Sequence, residues 1–203
     1  MNKTKFEQNK NFLKKFILSE CIEKPEQFMF GKLPGTRYSR QYYLANGLYN
    51  TEFLEKVTDC FYFLIKEKIG NFEFQIAGRE WSSIPLLTSI PLLLKIRYGI
   101  VLNSFMIKRE RKKYGKHNYI EGTPNNLPVL IVDDLSNSTD SFVFCHSVCE
   151  NLENLKTTDF IFSVLNKYFF EKVGEDMYCD RYLKSHKILS ILTGDDLINN
   201  DFK

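Results

Sequence analysis

The stretch Leu127–Ser141, LPVLIVDDLSNSTDS, constrains this chain more than any other. Val129 to Val132 is wholly apolar and rich in β-branched residues. Such a run reads as a strand buried on both faces, the kind found in parallel sheets. It ends in two carboxylates, Asp133 and Asp134, followed by small polar residues and then an apolar stretch, Phe142 to Val148, long enough for a helix. In an open α/β sheet ligands bind at the carboxyl ends of strands. A loop entering a helix offers free backbone N–H groups and the positive end of a dipole, which suit a phosphate. Adjacent carboxylates need hydroxyls, a cation or water as partners. Sugar hydroxyls beside a phosphate satisfy both requirements; the plainer alternative is an acidic turn after a core strand.

Composition narrows the classes. With 203 residues the chain can bury a sizeable core, and 43% apolar and 15% aromatic residues make it globular rather than disordered. We expect one domain over residues 1–203. A formal charge of +3 is too small to argue for nucleic acid as a partner. The five cysteines (Cys21, Cys60, Cys145, Cys149 and Cys179) form no CxxC pair, so buried thiols are expected rather than a zinc site. No apolar run reaches the length of a membrane span, and the start of the chain lacks the apolar core of a signal peptide, so no membrane partner and a cytoplasmic location are expected.

Strand and helix patterns alternate along the chain. Phe6, Phe12, Leu13, Phe16 and Ile17 form one helical stripe, which predicts a helix over residues 3–20. Pro25, Gly31, Pro34 and Gly35 break the next stretch into loop and short strands. Gln41 to Leu44 reads as a strand. Asn50 or Thr51 caps a second helix that Gly70 ends. Phe72, Phe74 and Ile76 alternate with polar residues and predict a strand stopping at Gly78. A helix from Ile84 to about Arg97 follows, with Pro85 in its first turn and Pro91 expected to kink it. Further strands are expected at Ile100–Met106, Phe160–Leu165 and Ile188–Leu192, and a last helical turn at Thr193–Ile198. The alternation predicts an α/β fold with a mainly parallel central sheet and helices on both faces.

A second stretch, FMIKRERKKYGKHNYIEG from Phe105 to Gly122, is strongly basic: five of the six residues from Lys108 to Lys113 are cationic. It reads either as a solvated hairpin tip or as a lid whose Lys and Arg side chains neutralise a diphosphate.

Two motifs now carry a resemblance. The strand with Asp133 and Asp134 resembles the 5-phosphoribosyl 1-diphosphate (PRPP) signature of type I phosphoribosyltransferases. Lys108, Arg109, Glu110, Lys112, Tyr114 and Gly115 resemble the catalytic loop of the orotate phosphoribosyltransferases within that family. Phe12–Ser19, Gly47–Thr51, Gly78 with Ile84-Pro85, and Thr193–Ile198 extend the likeness over nearly the whole chain, in order. The resemblance implies a type I phosphoribosyltransferase-like fold with a small hood formed by the N-terminal segment. It implies transfer of phosphoribose from PRPP to a pyrimidine base, orotate, with release of diphosphate, in pyrimidine nucleotide biosynthesis.

It also implies roles. Asp133 and Asp134 hold the ribose hydroxyls, directly or through Mg²⁺-bound water. Lys108, Arg109, Lys112 and Tyr114 meet the diphosphate, with Lys112 catalytic alongside the two acids. Arg79 and Ser82 lie in the diphosphate loop. Asn137, Ser138, Thr139 and Ser141 surround the 5′-phosphate. Lys32 and Lys167 fall near the base. A homodimer is implied as well. The departures are equally specific. Ser82 and Ser83 stand where the family has Lys and Gly, the 5′-phosphate loop has lost its Gly and gained Asp140, and Asn166 stands where an Arg meets the orotate carboxylate. These leave a second reading open: a catalytically impaired PRPP- or nucleotide-binding regulatory protein of the same fold.

Overall fold

A computed structural model describes residues 1–23, 41–111, 118–136, 140–166 and 186–198. Eight strands and six helices appear among them: β1 (Ile22–Glu23), β2 (Gln41–Tyr42), β3 (Gln75–Arg79), β4 (Ser104–Ile107), β5 (Ile120–Glu121), β6 (Val129–Ser136), β7 (Thr157–Asn166) and β8 (Lys187–Thr193), with α1 (Lys3–Glu20), α2 (Ala45–Leu48), α3 (Thr51–Lys68), α4 (Ile84–Tyr98), α5 (Asp140–Ser147) and α6 (Gly194–Ile198). A π-helical turn at Val148–Leu152 extends α5.

Six strands form one sheet in the order β5-β4-β3-β6-β7-β8. All its neighbours pair in parallel except the short edge strand β5, which runs antiparallel to β4. β1 and β2 make a separate antiparallel pair, Ile22 opposite Tyr42. The hood expected from the N-terminal segment falls mostly on residues 24–40, outside the described residues.

The apolar run 129–132 lies in the middle of the sheet because both faces there are covered. Leu130 and Val132 point into a core with Phe53, Phe61 and Ile65 of α3 and with Leu86, Ile90 and Leu94 of α4. Val129 and Ile131 point the other way, against Phe142, Cys145, Val148 and Cys149 of α5 and its extension. Burial of each large side chain is worth about 1.5–3 kcal/mol. Phe61 meets Phe162 of β7 edge to face at 4.9 Å.

Several expectations shift in detail. The strand expected to begin at Phe72 starts at Gln75, because Phe72 stacks instead on Tyr62 at 5.8 Å, and Tyr62 on Tyr98 at 3.9 Å. The strand expected at Ile100–Met106 begins at Ser104. The central strand runs on to Ser136, so Asp133 and Asp134 lie within its carboxyl half rather than after it. The helix after it starts at Asp140 and becomes π-helical at Val148. Pro91 sits inside α4, which runs on to Tyr98 and is closed by Gly99 at φ 71°, a conformation that favours glycine.

Two buried polar residues fix this arrangement. Gln75, wholly buried, donates to Asn125 O at 2.9 Å and Leu127 O at 2.7 Å, and accepts from Asn103 Nδ2 and Asn125 N, each at 2.9 Å. Asp59 of α3, also buried, accepts from Tyr98 Oη at 2.6 Å, Arg97 Nη2 at 3.1 Å and Asn9 Nδ2 at 3.3 Å, tying α1, α3 and α4 together. A lone acid within an apolar stripe reads as solvent-facing in the sequence; here it is a hub. Removing it leaves Tyr98 without its acceptor and Arg97 with Glu55 alone, at 3.1 Å. Asp59→Ala should cost about 3 kcal/mol, lowering Tm by about 6–12 °C. Thermal unfolding followed by circular dichroism checks this.

Candidate active site

The carboxyl ends of β3, β6 and β7 converge on Asp133. Ala77 pairs with Ile131, two residues before Arg79 and Asp133, and Asp133 itself pairs with Ser163. The chain turns from β3 into α4 immediately beside it. That turn is possible because Gly78 has no side chain: a Cβ there would stand 2.5 Å from Val132 O and 2.5 Å from the Ser83 side chain. Glu80 and Trp81 join through a cis peptide bond. Ser83, wholly buried, donates its hydroxyl back to Arg79 O.

This brings Ser82 to Asp133, with Ser82 Oγ donating to Asp133 Oδ1 at 2.9 Å. The Asp134 N–H donates to the same oxygen at 2.9 Å. Asp133 is 4% exposed, and Asp134 is half-buried. Burial pushes the Asp133 carboxyl above the usual carboxylate range, against the pull of bonds from Asp134, Ser82 and Ser141. Burial and then repulsion from Asp133 push Asp134 up to about 8. Two adjacent carboxyl groups offer several acceptor oxygens side by side, which suits the vicinal hydroxyls of a sugar.

Arg79 ends β3, and Lys108 and Arg109 follow β4. The Arg79 guanidinium stacks over the Phe144 ring at 4.9 Å, and its buried Nε has no hydrogen-bond partner. Lys108, buried at the end of β4, donates to Asn118 Oδ1 at 3.0 Å and pairs with Glu121 Oε1 at 3.2 Å. Its ammonium is thus held by the β4–β5 hairpin. Arg109 follows, exposed, with its backbone N–H donated to Glu80 Oε1 at 2.8 Å. The stem of the basic segment is the hairpin, while Lys112 and Tyr114 lie outside the described residues. So do Asn137, Ser138 and Thr139, expected around the 5′-phosphate, and Lys32 and Lys167, expected near the base. Ser141, in the first turn of α5, and the exposed Asp140 mark the far side of that loop. Asn166, buried, ends β7 in register with Ser136 and Thr193.

Sequence reasoning missed the roles of Glu80 and Ser83 as braces. The wholly buried hydroxyl of Ser163, without a partner among the described residues, also carried no sequence signal. A shallow cavity of about 700 Å³, lined by residues such as Lys5, Gln8, Phe12 and Lys56, lies between α1 and α3 and includes none of the residues around Asp133. Among the described residues no group of three or more His, Cys, Asp and Glu side chains is arranged to hold a metal ion.

A parallel strand with an acid pair in its carboxyl half, flanked by a tight turn into a helix and a basic hairpin, is the arrangement of the type I phosphoribosyltransferase fold, and the chain has that fold. No protein-family model matches it. The chain is similar to the orotate phosphoribosyltransferase of Buchnera aphidicola subsp. Baizongia pistaciae, at 28% identity over 194 residues, 90% of this chain and 89% of that protein. The crystal structure of Mycobacterium tuberculosis H37Rv orotate phosphoribosyltransferase with Fe(III) dicitrate superposes with a TM-score of 0.67 at 16% identity, over 94% of this chain and 99% of that one. The structure of the same mycobacterial enzyme with PRPP gives 0.62 at 14% identity, over 97% and 93%.

The acid pair has a consequence for stability. Between the ordinary value of 3.8 and about 8, the folded state binds a proton at Asp134 that the unfolded state has released. Stability therefore falls as pH rises through that window, by at most about 1.4 kcal/mol per pH unit for one such group. Asp134→Asn should flatten this slope and raise Tm above that of the wild type at pH 8. Melts at half-unit pH steps test it, and a mutant that melts below wild type at pH 8 overturns the assignment.

Proposed function

We propose that the protein is an orotate phosphoribosyltransferase, transferring phosphoribose from PRPP to orotate with release of diphosphate and so acting in pyrimidine nucleotide biosynthesis. The observation that carries this reading is the Asp133–Asp134 pair on the central strand, in a chain similar to an orotate phosphoribosyltransferase over 90% of its length.

The reaction develops positive charge at C1 of the ribose and negative charge on the departing diphosphate. Asp133 and Asp134 accept the 2′- and 3′-hydroxyls and fix the ring. Arg109 and Lys112, with Lys108 once released from Glu121, stabilise the diphosphate as it leaves. Arg79 adds a cation from the end of β3, and Ser82 and Tyr114 contribute hydroxyl donors. Asn137, Ser138, Thr139 and Ser141 surround the 5′-phosphate near the start of α5. Lys32 and Lys167 meet the base. Two carboxylates are too few to enclose Mg²⁺ but suit a hydrated ion shared with substrate oxygens, and Asp133 and Asp134 would hold it through water. The ion would supply charge neutralisation for the diphosphate.

We read the whole chain as one domain acting as a homodimer in the cytoplasm. The dimer draws support from α4, whose apolar residues are not confined to the core face and which leaves Leu92 and Ile96 exposed. No helix among the described residues is long and apolar enough to cross a membrane. A second reading, a PRPP- or nucleotide-binding regulatory protein, is favoured by the neutral Ser82 and by the ion pair that occupies Lys108.

Formation of orotidine monophosphate, followed by loss of orotate absorbance with PRPP and Mg²⁺, separates the two readings. PRPP binding by calorimetry without turnover supports the second. For the enzyme, kcat/KM should rise with pH from 6.5 to 9 as Asp134 loses its proton, and Asp134→Asn should lower it about 100-fold and abolish that rise. Ile96→Glu should shift the protein toward monomer in sedimentation; a sedimentation profile unchanged from wild type would remove α4 from the interface.

A further inference from the structure

Glu80 places a carboxylate beside a site that must take up a diphosphate, and among the described residues no cation stands within ion-pair distance of it. What it does instead is visible in two bonds. Its backbone N–H donates to Ile107 O at 2.9 Å, the last backbone link from β3 to β4. Its side chain then reaches back, and Oε1 accepts the Arg109 N–H at 2.8 Å. β3 turns away at Trp81, so no backbone carbonyl remains for Arg109. The carboxylate replaces that carbonyl and holds β4 in line for two residues beyond Ile107.

We propose that Glu80 is a positioning residue, fastening the root of the basic segment at Arg109 to the same turn that carries Ser82 to Asp133. This rests on the phosphoribosyltransferase reading for its catalytic consequence, though not for the bond itself. Two elements of the site are thereby linked: the turn after β3 touches the acid pair through Ser82 and the basic segment through Glu80. The link carries an electrostatic penalty, because a bound diphosphate lies near the same carboxylate and is repelled by it. Glu80 thus trades anion affinity for alignment of the segment.

The amide of the side chain in Glu80→Gln keeps an acceptor oxygen without the charge, while Glu80→Ala removes both. Hydrogen exchange at the Arg109 amide, calorimetric titration with inorganic diphosphate, and steady-state kinetics with PRPP and orotate are measured on all three proteins. Glu80→Ala should speed exchange at Arg109 about tenfold and lower kcat about tenfold, with the KM for orotate nearly unchanged. Glu80→Gln should keep most of the protection and bind diphosphate several-fold more tightly. Unchanged exchange in Glu80→Ala means the bond is not made in solution and overturns the proposal. Faster exchange with wild-type kcat means the bond aligns nothing, and overturns it equally. If the wild type shows no turnover, the transferase reading fails; the exchange and diphosphate arms still decide this one, since tighter binding by Glu80→Gln with lost protection in Glu80→Ala sustains it and their absence removes it.

Discussion

The register between β3 and its two neighbours is the constraint on which the site depends, and Gln75 holds it. Its buried amide uses both donors and accepts twice, so that the approaches to β4 and β6 are pinned to the start of β3. Each bond nets about 1 kcal/mol, but leaving any of these buried groups unpaired costs about 1–3 kcal/mol, so a slipped register is penalised several times over. With that end fixed, the other end follows. Gly78 passes Val132 O at a distance no side chain allows, Ser82 comes to Asp133, and Glu80 comes to Arg109. A hydrogen-bond cluster at the amino ends of the strands thus places the chemistry at their carboxyl ends.

Much of this was legible in the sequence where one physical effect dominates. The stripe Phe6–Ile17 is α1, and Asn50 caps α3 through its side-chain oxygen at 3.0 Å from Phe53 N. The run 129–132 is buried on both faces, as its lack of alternation requires. Reading failed where long-range packing decides. Phe72 and Phe74 alternate like a strand, yet they serve the aromatic stack on Tyr62. Lys108 belongs to a run that looks solvated, yet it is 6% exposed, its backbone bonded to Tyr119 and its ammonium paired with Glu121 of β5. No local pattern encodes which of several adjacent lysines faces inward; the hairpin register does.

The site residues divide in the same way. Asp133 and Asp134 stand out because two carboxylates after a core strand have no structural use that water would not serve better. Glu80, Ser82 and Ser83 do not stand out, because short polar residues in a turn are compatible with any loop. Their meaning comes from the closeness of Gly78 to Val132, a contact between residues 54 positions apart in the chain.

Charge placement gives the last step. Where a lysine before Ile-Pro would bring a cation to the acid pair, Ser82 brings a neutral donor, and Asp133 keeps its proton affinity high. An ammonium at that position would favour the ionised carboxylate and lower both acids. The chain keeps its cations one layer out instead: Arg79 on the face of Phe144, Lys108 against Glu121, Arg109 at the root of the basic segment. The first is stacked, the second paired, and the third fastened by its backbone. On the proposed transfer of phosphoribose from PRPP, an anion that recruits Lys108 has to compete with Glu121 for it, and the free energy of that exchange is subtracted from binding.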